Sequence, residues 1–343
     1  MHMADALLSP VVGGGLWLAS GAAIAYGSRR MKASLDHRQV PLMGVVGALV
    51  FAVQMLNFTI PGTGSSGHFA GGLLLAILLG PHAAFLTMAS VLTVQALFFA
   101  DGGLLALGAN IFNMGFLACY VVYPCIFKPL AKAGASNRGV IFFSALMALQ
   151  LGAFGVVLET SLSGIADLPF AAFLLAMQPI HLAIGIGEGL ITLAVLDLII
   201  RVEPHLLYKP AEEPVAGFLA GKRALAVLAV LAVLAGGILS LFASSQPDGL
   251  EWSIAGLVGD KKELAQPKTA LHLLSSSLQE RTTILPDYAF AESADEKRSA
   301  DQGLASSEAG TSLSGLVGGL IVLLISLLAG YLFKRRSVSR VAS

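Results

Sequence analysis

Long apolar runs alternate with short polar breaks along most of the chain, and that alternation predicts the elements. The first run covers about Pro10 to Tyr26 and the second about Pro41 to Ile60. Phe69 to Phe99 is too long for one crossing and is interrupted by Gly80-Pro81-His82, so it predicts a hairpin of two helices, the first short. Runs at about Ile111 to Phe127 and Gly139 to Thr160 follow. Phe170 to Ile200 predicts a helix along the outer face joined to an inward crossing. That makes seven spans in the first part. The Gly/Ser/Thr-rich stretch Pro61 to His68 predicts a turn-rich loop with little helix propensity.

Basic residues orient these spans. Arg29, Arg30, Lys32 and Arg38 follow the first run, which puts that end in the cytoplasm and Met1 outside. The charges come after the apolar core rather than before it, which argues against a signal peptide. Reading the broken stretch as two helices places Lys128, Lys132 and Arg138 inside; every Lys or Arg before residue 210 then falls in a cytoplasmic loop. Pro204, Pro210 and Pro214 mark a polar linker. The expected division is a membrane domain over 1–203, a linker over 204–223 and a tail domain over 224–343. Within the tail, an eighth span at Ala224 to Ala243 leads to a polar, acid-rich outer segment, 244–312. A ninth, Leu313 to Phe333, is anchored inside by Lys334, Arg335 and Arg336. The fold class expected is an all-α polytopic membrane protein: a seven-helix bundle plus a C-terminal two-helix transmembrane hairpin.

Composition agrees. Of 343 residues 56% are hydrophobic and 12% charged, against about 25% charged in soluble proteins. A formal net charge of zero gives no reason to expect a nucleic-acid partner. Cys119 and Cys125 are too far apart for a CxxC pair. The nearest string to a phosphate loop, Gly217 to Arg223, lacks its spacing and its final Ser/Thr. No ATPase site and no catalytic residue is expected.

Candidate chemistry lies in the histidines. Met1-His2 is a ready chelator: the terminal amine, the His2 amide nitrogen and one His2 imidazole nitrogen can close two fused rings around an ion. Square-planar nitrogen coordination suits Ni(II) or Cu(II). His68, expected on the same side of the membrane, can donate a fourth nitrogen. The plain alternative is a frayed terminus. Asn57, Asp101 and Asn110 lie near the outer ends of their spans, where they can orient a histidine or simply cap and bond loops. His37 and His205 fall in cytoplasmic loops, His82 at the inner turn, and His272 on the surface of the tail. His181 and Glu188 share a face of the seventh span.

At these residues the chain resembles the CbiM/NikM family, the substrate-binding membrane (S) components of cobalt and nickel energy-coupling-factor transporters. The similar strings are Met1-His2-Met3-Ala4-Asp5 with Leu8-Ser9-Pro10, the loop Gly62 to Gly72, Gln95 to Gly115, and His181 to Gly185 with Glu188-Gly189. Pro247-Asp248-Gly249-Leu250-Glu251 is similar to the motif that names the PDGLE domain, which resembles the small N subunit of these systems. The resemblance implies an M–N fusion in the plasma membrane, carrying nickel or cobalt as substrate with no organic cofactor. It implies a site made of Met1, His2 and His68. It also implies partners: a transmembrane coupling protein and cytosolic ATPases. Met3 departs from the branched residue or proline expected there. The competing reading is a stand-alone ion-coupled carrier, which calls for ionisable residues spread along several spans.

Overall fold

The computed structural model describes residues 2–34, 39–133, 137–202, 222–259, 269–290 and 300–341. Met1, His37, His205 and the expected linker as far as residue 221 lie outside them.

The helices follow the apolar runs. They are α1 (Pro10–Ser34), α2 (Gln39–Gln54), α3 (Gly72–Leu79), α4 (Pro81–Phe98), α5 (Leu107–Lys132), α6 (Asn137–Ser163) and α7 (Phe170–Val202). The α3–α4 break falls where expected. Gly80 takes φ 76° and ψ 163°, a conformation open to glycine, and Pro81 starts α4 at the position where its missing N–H costs nothing. The Phe170 stretch differs from expectation: it is one continuous helix, passing through Pro179.

Among the described residues seven helices are long and apolar enough to cross a membrane. Five of them are α1, α4, α5, α6 and α7; the other two belong to the tail. Nine crossings were expected, and α2 and α3 fall short. Helix α3 has 8 residues, about 12 Å at 1.5 Å per residue, against a hydrocarbon core of about 30 Å. Irregular chain therefore leads into α3. It meets α7 at Glu188, near the middle of that 33-residue helix. The Glu188 carboxylate accepts from Ala70 N at 2.6 Å and Gly71 N at 2.9 Å, and Gln54 Nε2 donates to Ala70 O at 2.9 Å. Backbone outside a helix at this depth needs such protein partners, because lipid offers none. His181 and Glu188 thus serve different neighbours: His181 Nδ1 lies 2.8 Å from Met177 O of its own helix.

The expectation of an all-α chain also needs correction at the Gly/Ser/Thr loop. Phe58–Ile60 (β1) and Ser65–Gly67 (β2) pair antiparallel, with Ile60 opposite Ser65. Gly62 and Gly64 take φ of 78° and 72°, which lets the chain reverse in so few residues.

The tail begins with α8 (Lys222–Val233), which continues through Leu234–Ile238 and Leu239–Phe242. Short helices α9 (Gly249–Val258) and α10 (Ala270–Thr282) follow, then the long α11 (Ala300–Val341). Small residues let these helices press close to α2 and to each other. A Cβ on Gly318 would stand 2.0 Å from Phe51 Cζ, and one on Gly236 would meet the Gly315 backbone at 2.9 Å. Close approach of this kind is how helices associate where lipid removes the hydrophobic drive.

Candidate metal centre

The first residues turn into the bundle. Met3, Leu7 and Leu8 are fully buried, so a frayed terminus does not describe residues 2–9. Asn110, near the start of α5, grips the backbone of Met3: its Oδ1 accepts from Met3 N at 2.8 Å and its Nδ2 donates to Met3 O at 3.3 Å. Gly103 N also donates to Met3 O, at 2.9 Å. Asp5 Oδ1 accepts from Ala106 N at 2.9 Å. The Met3 thioether packs in the core, with Sδ 4.0 Å from Asn113 Nδ2.

This grip brings His2 against His68. The rings stack at 5.1 Å between centroids and 12° between planes. Their side chains are 7% and 10% exposed, so water reaches little of either. Burial is the main reason the His2 pKa is pushed down to about 4, which leaves the imidazole neutral at pH 7 and available as a donor. His2 Nδ1 lies 3.2 Å from Asp101 Oδ1, while Nε2 is buried without a hydrogen-bond partner. Of the three candidates for orienting a histidine, Asp101 reaches His2 directly and Asn110 holds the next residue. Asn57 lines the same cavity of about 480 Å³, and its backbone carbonyl accepts from Ser244 N. Among the described residues no group of three or more His, Cys, Asp or Glu side chains could hold a metal ion. An ion bound between two imidazoles here needs main-chain or terminal donors as well. Met1, whose terminal amine is one of the expected donors, is outside the described residues.

The tail roofs the site, which the polar look of 244–312 did not foretell. Pro247 O accepts from Ser66 N at 2.8 Å, extending β2 into the tail. Tyr288 donates its hydroxyl to Asp101 and stacks on Phe99 with centroids 5.2 Å apart. Gln279 Nε2 donates to the carbonyls of Ala96 and Gly102, at 2.8 and 2.7 Å. His272, expected on the surface, is 5% exposed and points Nε2 at Leu8 O and Asp5 O, 2.9 and 3.1 Å away. Ser275 donates to the Asp5 carboxylate. The start of α9, though not its docking, has a local signal in the sequence: Asp248 and Glu251 form a capping box.

Known proteins bear out the resemblance. The family described as the cobalt uptake substrate-specific transmembrane region, CbiM, matches residues 2–206, and the PDGLE domain matches 222–335. A putative fused nickel transport protein, NikMN, of Archaeoglobus fulgidus is 33% identical over 94% of this chain and 96% of its own. A putative metal transport protein of Haloquadratum walsbyi is 37% identical over 62% of this chain and 95% of its own. A crystal structure of a transition metal transporter is similar with a TM-score of 0.54 and 30% identity, covering 60% of this chain and 94% of that one. With the larger part of its length matched and both halves accounted for, the chain belongs to the CbiM family of cobalt uptake transmembrane regions, joined to a PDGLE domain.

Proposed function

We propose that the chain is the metal-capture membrane component of an ATP-driven nickel or cobalt importer of the energy-coupling-factor type. It binds the divalent ion from outside the plasma membrane through the Met1 amine, the His2 amide and imidazole, and the His68 imidazole. The observation that carries this reading is the pair of buried, stacked imidazoles of His2 and His68. The transport names of the A. fulgidus and H. walsbyi relatives support the substrate class. In the chelate, His2 Nδ1 is the nitrogen that closes a six-membered ring with its own amide nitrogen and the metal. That atom now faces Asp101, so loading replaces the Asp101 contact with a metal bond. The N-terminal segment, held by Asn110 and Gly103, keeps the donors together. A transmembrane coupling protein and cytosolic ATPases then turn or open the loaded component inward.

The test is metal content and nickel affinity of the purified full chain, compared with His2→Ala, His68→Ala and a version with residues added before Met1. Loss of binding in all three is expected. An extended chain that binds nickel as tightly as the wild type removes the terminal amine from the site. Unchanged binding in both histidine variants removes the site altogether.

A further inference from the structure

Asp248 belongs to the tail, yet it reaches the cavity that holds His2 and His68. Three local features fix it there. Its neighbour Pro247 is bonded to Ser66 of β2, and Ser66 Oγ donates to Gln246 O at 2.7 Å. Its Oδ1 accepts from Leu250 N at 2.9 Å and Glu251 N at 2.8 Å, capping α9, while Glu251 accepts from Asp248 N at 3.1 Å. Gly249 is pressed against α7; a Cβ there would stand 2.7 Å from Ile184 Cδ1 and 3.0 Å from His181 Cε1. With Oδ1 committed to the cap, Oδ2 faces His68 Nε2 at 3.8 Å.

Asp101 stands beside His2 as Asp248 stands beside His68, so a carboxylate flanks each of the two stacked imidazoles. A divalent ion brings two positive charges into a mouth where the imidazoles of His2 and His68 offer no negative charge to offset them. Buried charge is costly unless opposite charge is fixed nearby. Carboxylates next to metal-binding histidines also hold the ring in place and raise its basicity.

We propose that Asp248 is a positioning residue of the metal site, supplied by the tail: it orients the His68 imidazole and provides fixed negative charge for the bound divalent cation. The tail then does more than cover the mouth, because it contributes to affinity. This inference rests on the metal-capture reading above.

The experiment is nickel affinity of the purified full chain, by competition with a chromogenic chelator, for wild type, Asp248→Asn, Asp248→Ala, His68→Ala and the double variant His68→Ala with Asp248→Asn. Asparagine caps a helix about as well as aspartate, so Asp248→Asn keeps α9 and removes the charge. The expected result is a loss on the order of ten- to a hundredfold in affinity for Asp248→Asn, with an unchanged thermal midpoint. The step from His68→Ala to the double variant is expected to cost less affinity than the step from wild type to Asp248→Asn, since the part of the effect that acts through the ring is already gone. Wild-type affinity in Asp248→Asn, with loss confined to Asp248→Ala, would make the residue a helix cap only and overturn the proposal. Should the asparagine variant fail to fold, Asp248→Ser, which also caps, carries the same comparison. If His68→Ala binds as wild type, His68 is no ligand and the four-donor set proposed above fails together with this inference; if only Asp248→Asn does, this inference alone fails.

Discussion

Replacing Asn110 with leucine tests whether the docked N-terminal segment is what holds the donors. Asn110 is 2% exposed and Met3 0%. The substitution keeps the bulk and removes both bonds to Met3. Met3 O keeps Gly103 N as a donor at 2.9 Å, so the damage falls on Met3 N–H, which loses its acceptor at 2.8 Å. Orphaning one buried donor costs about 1–3 kcal/mol. At about 1.4 kcal/mol per factor of ten, the midpoint of that range is about 30-fold in an equilibrium constant. The metal-bound state contains the docked segment, so this cost reaches the affinity in full once the free segment undocks. Nickel competition on the detergent-purified chain reads it directly. Ser20→Ala is the control: Ser20 Oγ donates to Gly108 O at 2.6 Å close by, and its loss leaves residues 2–8 untouched. A folded Asn110→Leu protein that binds nickel like the Ser20→Ala control refutes the reasoning.

Three further predictions rest on other contacts. Gly103→Ala places a Cβ 1.7 Å from Asp5 Oδ1 and 2.5 Å from Asp5 N; the N-terminal segment must move, and nickel binding should fall well below that of a Gly14→Ala control, whose added Cβ meets nothing within 4 Å. Glu188→Gln turns an amide N–H toward one of the two backbone donors at Ala70 and Gly71, so the thermal midpoint should drop by the equivalent of about 1–3 kcal/mol, and an unchanged midpoint would show that the carboxylate does not hold the chain leading into α3. His272→Phe keeps the ring's bulk but removes the bond to Leu8 O; limited proteolysis should then cut the tail around α10 faster than in wild type, and equal rates would show that His272 does not clasp the N-terminal segment.

Much of the helical layout was legible in the sequence, because a bilayer imposes length and apolarity on each crossing. Gly80-Pro81 announced the α3–α4 break through local backbone chemistry, and His2 and His68 stood out as nitrogen donors in an apolar chain. Their stacking was a matter of tertiary contact: Asn110 and Gly103 bind main-chain atoms of Met3, and main-chain atoms are the same at every residue. His272 was misread for a similar reason. It lies within the polar segment 244–312, and only the docking of α10 buries it against Asp5 and Leu8. Hydropathy likewise does not reveal where the chain leaves the helix to form β1 or to reach Glu188.

By itself, then, the sequence determined which stretches are apolar helices, where glycine and proline end them, and which residues have the nitrogen donors to bind a divalent transition-metal ion. The tertiary structure decided which of those residues meet, and that a carboxylate from the tail, Asp248, joins them. Helix and turn preferences act over a few neighbouring residues, whereas the pairing of Ser66 with Pro247 and Asp248 spans about 180 positions and is fixed only when the packed bundle brings both strands to the same mouth.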